Sequence, residues 1–208
     1  MIEEGKTFYW GTSNWDAQDV FNAFRYCEQY NLHKPICAQN QYNLLVRKEM
    51  EYDYQKLFQV YGYGLVAWSP LAGGFLTGKH LNGISQEEGN RLTGESAELY
   101  KKFFYTPFDS EKTISSLKAL KEYVEKELEA TLVEVALAWC IKYKHTSTAL
   151  IGARNVAQLD QSLNALKVLP KLTPEVEARI NKLIGTSPEA RVNFLQWKPY
   201  ELLRPAEK

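Results

Sequence analysis

The sequence predicts an α/β fold built on a parallel sheet, and three observations predict it. Runs with β-branched or aromatic character read as strands at four places: Phe8–Thr12, Pro35–Asn43, Leu65–Trp68 and Thr148–Ile151. Between them lie stretches with apolar residues every three or four positions, the period of an amphipathic helix. Polar residues gather where the strands end, at Ser13-Asn14, at Gln39, at Ser69, and at Gly152 with Arg154. Strands that alternate with helices form parallel sheets, and barrels of such units assemble their sites at the C-terminal strand ends. A complete barrel needs eight strands, and four are legible here.

Phe8-Tyr9-Trp10-Gly11-Thr12 is an aromatic strand signal, and Ser13, with Asp16 three residues on, is placed to cap a helix. That helix has Val20, Phe21, Phe24 and Cys27 on one face and ends near Tyr30-Asn31, ahead of Pro35. The next strand ends in a crowd of amides, Gln39-Asn40-Gln41 and Asn43. Met50, Tyr54, Leu57, Phe58 and Tyr61 then give a second helix, leading through the turn Tyr61–Gly64 into the strand at Leu65.

From His80 to about Ser110 only a patch at Ala97 to Phe103 reads as helix, so 80–110 is expected to be a flap over a ligand. Helix returns at Glu111–Glu129, with Ile114, Leu117, Leu120, Val124 and Leu128 on one face, and Thr131-Leu132-Val133-Glu134 is a capping box for the next. After Thr148–Ile151, Asn155 is an N-cap, and Leu159, Leu163 and Leu166 are expected to face the core. Thr173-Pro174 opens the last helix, with Ile180 and Leu183 buried and Gly185 as its stop. The tail, 186–208, carries Phe194, Trp197 and Tyr200 and is expected to pack.

The bulk numbers exclude several function classes. At 208 residues, 45% hydrophobic and 24% charged, the chain reads as one globular domain, 1–208. Lys+Arg and Asp+Glu both number 25, so no basic excess points to nucleic acid or to an anionic membrane. Cys27, Cys37 and Cys140 are odd in number and scattered, which suits free buried thiols in a reducing compartment, the cytoplasm. No run approaches the ~18 apolar residues of a spanning helix and no signal-peptide core follows Met1, so direct membrane insertion is not expected. His33, His80 and His145 lack metal-ligand spacing and read as surface or cap residues.

The most specific stretch is Trp68-Ser69-Pro70-Leu71-Ala72-Gly73-Gly74-Phe75-Leu76-Thr77-Gly78-Lys79. Pro70 ends the strand, and three glycines, a hydroxyl and a lysine then fall within the seven residues Gly73–Lys79. Backbone amides and an ammonium so placed suit a phosphate. Gly73 to Lys79 has the body of a P-loop, but His80 stands where that motif needs Ser or Thr. A plain glycine turn with a solvated lysine is the other reading.

Trp-Ser-Pro-Leu-Ala-Gly-Gly followed by Leu-Thr-Gly-Lys resembles the seventh-strand stretch of aldo-keto reductases, particularly the group of voltage-gated potassium channel β subunits. The resemblance covers nearly the whole chain and implies a (β/α)8 TIM-barrel type, of which residues 1–208 carry about the last four βα units. It implies that Ser13, Asn14 and Gln39 hold the nicotinamide carboxamide of NADP(H). Trp68, Ser69, Pro70, Leu71, Ala72, Gly73 and Lys79 would follow the pyrophosphate, with Arg91 near the adenosine 2′-phosphate and Gly152, Arg154 and Gln158 at the adenosine end. Tyr42 receives no role. Gln161 and Ser162 depart from the family pattern, which has Glu and Asn against the adenine. Each position also has a plainer role open to it: Ser13 and Asn155 as helix caps, Gln39 satisfying backbone groups, Arg154 as a surface charge.

The family's catalytic Asp, Tyr, Lys and His belong to its first four strands, and no residue here matches them; Tyr9 and Tyr63 read as aromatic background. The resemblance therefore implies a chain that binds NADP(H) but reduces no carbonyl substrate unless the barrel is completed, by a complementing chain or by another copy. A docking module for the cytoplasmic domain of a potassium channel, and a truncated product without activity, are the alternatives.

Overall fold

The computed structural model describes residues 1–86, 92–93 and 97–189. Arg91 and the tail aromatics Phe194, Trp197 and Tyr200 lie outside them. Three strands, β1 (Cys37–Gln41), β2 (Gly64–Trp68) and β3 (Thr146–Ala149), form a parallel sheet in the order β1-β2-β3. All C-terminal ends therefore meet at one edge, as in a partial barrel. Along β1 and β2 burial alternates with the pleat: Ala38, Asn40, Leu65 and Ala67 are buried, whereas Gln39 is exposed.

The expected first strand is reduced to a single parallel bridge, Thr12 to Ala38. Trp10 and Thr12 do run along β1: Ile36 N–H donates to Trp10 O at 3.0 Å, and Thr12 N–H to Cys37 O at 2.9 Å. Gly11 permits this approach, since a Cβ there would lie 2.6 Å from Cys37 O. Phe8 and Tyr9 are exposed, and among the described residues no backbone hydrogen bond pairs them with β1. β1 is shorter than the expected Pro35–Asn43, β2 begins at Gly64, and β3 is shifted two residues early, to Thr146.

Helix α1 (Ala17–Gln29) buries Val20, Phe24 and Cys27. Its cap is Asp16, which accepts from Asp19 N–H, and not Ser13, whose hydroxyl is used elsewhere. The second helical stretch is divided into a π-helical turn, Glu49–Asp53, and α2 (Gln55–Tyr61). Then follow α3 (Ala97–Phe104), α4 (Glu111–Glu127) and α5 (Leu132–Lys142). The Thr131/Glu134 capping box opens α5, which is apolar nearly all round and buries Leu132, Val133 and all of 135–140.

After β3 come α6 (Val156–Leu163), capped by Asn155, α7 (Ala165–Val168) and α8 (Pro174–Ile184), capped by Thr173 and ended by Gly185. Ile180 is buried and Leu183 only partly so. Leu159, Leu163 and Leu166, expected in the core, are 42%, 52% and 57% exposed. They lie beyond β3, at an edge with no further strand among the described residues. Cys27 and Cys140 are buried and Cys37 half-buried, all as free thiols. Of the histidines, His33 is exposed and pairs with Glu3, whereas His80 is fully buried against Phe75 and His145 stacks on Phe58.

Candidate functional site

Parallel strands bring three loops to one edge of the sheet. The first joins Ser13, Asn14, Gln39 and Trp68. Ser13 Oγ donates to Gln39 O at 3.0 Å, and Trp68 Nε1 donates to Asn14 Oδ1 at 2.9 Å. Asn14 is left-handed, with φ 54°, a conformation that asparagine tolerates better than most residues. The Gln39 side chain is exposed, so its amide is available to a ligand. Sequence reasoning chose these residues from three separate stretches, and the fold makes them neighbours.

The second loop follows β2. Ser69 (φ 53°) and Ala72 (φ 48°) are left-handed, as are Gly73 and Gly74 at 62° and 105°. Asn43 Nδ2 donates to Ser69 O at 2.9 Å, tying the loop to the end of β1. The amides of Ala72, Gly73 and Gly74 are spent inside the turn, on Ser69 O, Ser69 Oγ and Leu71 O. The three glycines expected to offer amides to a ligand, Gly73, Gly74 and Gly78, thus all have their N–H groups bonded within the turn, that of Gly78 to Phe75 O. Charge at this loop comes from Lys79, whose stem crosses Gly74: a Cβ on Gly74 would lie 2.7 Å from Lys79 Cε. Pro70 and Ala72 are buried, Leu71 half-buried and Gly73 exposed. The P-loop reading fails, because His80 is buried and a short 3-10 turn, not a helix, follows the strand.

The third loop follows β3. Gly152, Arg154 and Gln158 are exposed; Gln158 Oε1 accepts from Arg154 N–H at 2.9 Å, and Gln158 N–H donates to Asn155 Oδ1. Ser162 donates to Gln158 O, inside the helix, and Gln161 Nε2 reaches Thr131 Oγ1 at 3.4 Å. The site is an open edge: none of these residues lines the hollow at Trp10, Trp15 and Tyr26 or the one at Leu81, Gly83 and Lys118. An edge that offers carboxamides, an indole, a lysine and an arginine suits a long ligand with a carboxamide at one end and anionic groups beyond it.

Two polar clusters below this edge escaped the sequence reading. Asn40, fully buried on β1, accepts from Asn14 N–H at 2.9 Å. Tyr54 OH donates to Trp15 O at 2.5 Å, and burial raises the pKa of that phenol. Burial likewise raises the Glu49 carboxyl, against a hydrogen bond from Asn40. The second cluster centres on Arg47, buried and bidentate to Glu51 at 2.8 and 2.9 Å, with Asn181 Oδ1 at 2.7 Å and the Trp139 ring 4.8 Å away. Tyr42 donates to Glu51 at 2.7 Å, and burial holds its phenol neutral. The signals were strand alternation at Asn40 and i,i+4 spacing at Arg47 and Glu51.

Among the described residues no helix is long and apolar enough to cross a membrane, and no cluster of His, Cys, Asp and Glu is disposed to hold a metal. The family model for the aldo/keto reductase family matches residues 1–184. The putative voltage-gated potassium channel subunit beta of Schizosaccharomyces pombe is 37% identical over 192 residues, which cover 90% of this chain and 53% of that protein. The chain thus spans about half the length of the curated relative it matches. Matched over nearly its whole length and folded as parallel βα units, the chain belongs to the aldo/keto reductase family.

Proposed function

We propose that residues 1–208 form the NADP(H)-binding part of a (β/α)8 reductase barrel, comprising about its last four βα units. Ser13, Asn14 and Gln39 orient the nicotinamide, Trp68 to Gly73 and Lys79 follow the pyrophosphate, and Arg91, Gly152, Arg154 and Gln158 hold the adenosine end. The observation that carries this is the convergence of the first corner: Ser13 on Gln39 and Trp68 on Asn14, from three stretches of chain, at the end of a parallel sheet. The room for the Lys79 stem over Gly74 agrees with an anionic ligand there.

The bound cofactor would supply a hydride to a carbonyl carbon. These residues bind it, fix which face of its ring is presented, and neutralise its phosphates. A proton donor for the resulting alkoxide is assigned to the part of the barrel outside residues 1–208, so this stretch alone binds cofactor and reduces nothing. The surroundings are cytoplasmic. A second reading, a docking module for a potassium channel's cytoplasmic domain, is favoured by the name of the Schizosaccharomyces pombe relative.

The deciding experiment is a titration of the purified chain with NADPH and with NADH, following energy transfer from tryptophan to the reduced nicotinamide. Saturable binding that prefers NADPH, and that weakens about tenfold in Lys79→Ala, is expected. Absence of saturable NADPH binding would overturn the proposal and leave the docking reading.

A further inference from the structure

The cofactor corner rests on a loop whose shape must come from somewhere. Asn14 holds a left-handed backbone, and Ser13, Asn14 and Trp15 belong to no helix or strand. What lies beneath them is polar and buried. Asn40 is on β1 next to Gln39, so the pleat points the two amides to opposite faces, Gln39 outward and Asn40 inward. A fully buried carboxamide in a sheet costs free energy unless its groups are paired. Here Oδ1 takes the Asn14 N–H at 2.9 Å, while Nδ2 reaches Tyr54 OH at 3.4 Å and lies close enough to the Glu49 carboxyl to favour its charged form.

The π-helical turn explains how Glu49 and Tyr54 reach one amide. In an α-helix, residues five apart point about 140° away from each other. The wider turn at Glu49–Asp53, closed by Tyr54 N–H on Glu49 O at 2.9 Å, brings both side chains to the same side. Tyr54 then ties down the next residue of the loop through Trp15 O.

We infer that Asn40 is a positioning residue for the cofactor corner: from below the sheet it locks Asn14 in the left-handed conformation that presents Asn14 Oδ1 to the Trp68 indole. It touches no ligand itself. Tyr54 holds Asn40, and the π turn sets Glu49 on the same side. The inference deepens the NADP(H) reading, which supplies the purpose of the corner, but the lock is a property of the chain with or without ligand.

The test separates the two. In the ligand-free protein the Asn14 backbone amide should exchange slowly with solvent deuterium, and the Trp68 indole N–H should give a distinct NMR resonance. Asn40→Leu, close in size but without an acceptor, should move that resonance toward the position of a solvent-exposed indole. NADPH should then bind Asn40→Leu about tenfold more weakly, while adenosine 2′,5′-bisphosphate, which uses only the far end of the site, binds it unchanged. A general loss of structure would weaken both ligands.

Fast exchange of the Asn14 amide in the wild-type protein overturns the inference, and needs no variant to fold. An unmoved Trp68 resonance in folded Asn40→Leu overturns it too. If the wild-type chain binds no NADPH, the functional reading fails, and the exchange and resonance measurements still decide the role of Asn40.

Discussion

Trp68 Nε1 donates to Asn14 Oδ1 at 2.9 Å, joining residues 54 positions apart across the open end of the sheet. The bond is exposed, so water competes for both partners and its net stability contribution is small. Its value lies in geometry, because it fixes the indole plane beside the proposed nicotinamide position. Trp68→Phe should change the unfolding free energy by less than about 1 kcal/mol. The same variant should abolish most of the tryptophan-to-nicotinamide energy transfer, measured in an NADPH titration with the other tryptophans left in place.

The Arg47–Glu51 pair behaves in the opposite way. Its side chains are 6% and 15% exposed, so each charge depends on the other for solvation. Glu51→Ala would leave the guanidinium buried with Asn181 and Ser187 as its polar partners among the described residues, and should cost about 3–5 kcal/mol in urea unfolding. Arg47→Met combined with Glu51→Leu should cost much less than the sum of the single changes, since neither charge is then stranded.

These two cases show what the sequence discloses and what it withholds. Gly64–Trp68 and the Thr131/Glu134 box were legible because their signals are local: a short apolar run, and two side chains that satisfy each other's backbone three residues apart. Ser13, Gln39 and Trp68 stand in three separate stretches that each resemble the family, and the fold brings them to one edge. Asn40 was hidden by its neighbour, since an amide on either face of a strand looks the same in a string. A hydroxyl at Ser13 suits a helix cap as well as a ligand site, but its Oγ bonds Gln39 O and the cap is Asp16. Leu159, Leu163 and Leu166 were misplaced for another reason: a period locates the apolar side of a helix and says nothing of what covers it.

Alkaline pH should unfold the protein through its buried thiol and phenols. Burial lifts Cys140 from an ordinary 9.0 to about 12, and lifts Tyr143 to about 12; Tyr42 and Tyr54 are raised as well. The unfolded chain releases these protons first, so between the two pKa values the folded state binds more protons. The stabilisation from Cys140 is intact below pH 9 and that from the phenols below pH 10, and each falls by about 1.4 kcal/mol per pH unit as pH rises toward 12. Urea midpoints measured from pH 7 to 11 should hold level and then fall above pH 9. A flat profile would show that these groups ionise alike in both states.

The apolar side of α6 tests the partial-barrel proposal from outside the cofactor site. Leu159 and Leu163 are largely exposed, with Leu150 and Ile151 exposed beside the end of β3. Within residues 1–208 these side chains contribute little to the core, so Leu159→Glu with Leu163→Lys should change the unfolding free energy by less than about 0.5 kcal/mol. In a barrel the same side would face another βα unit, and exposed apolar faces beside an open strand edge drive association. Light scattering of residues 1–208 should therefore report a mass that rises with concentration, and the double variant should reduce that rise. A double variant that unfolds early would mean that α6 already packs within this chain, and the remainder of the barrel would have to meet the sheet elsewhere.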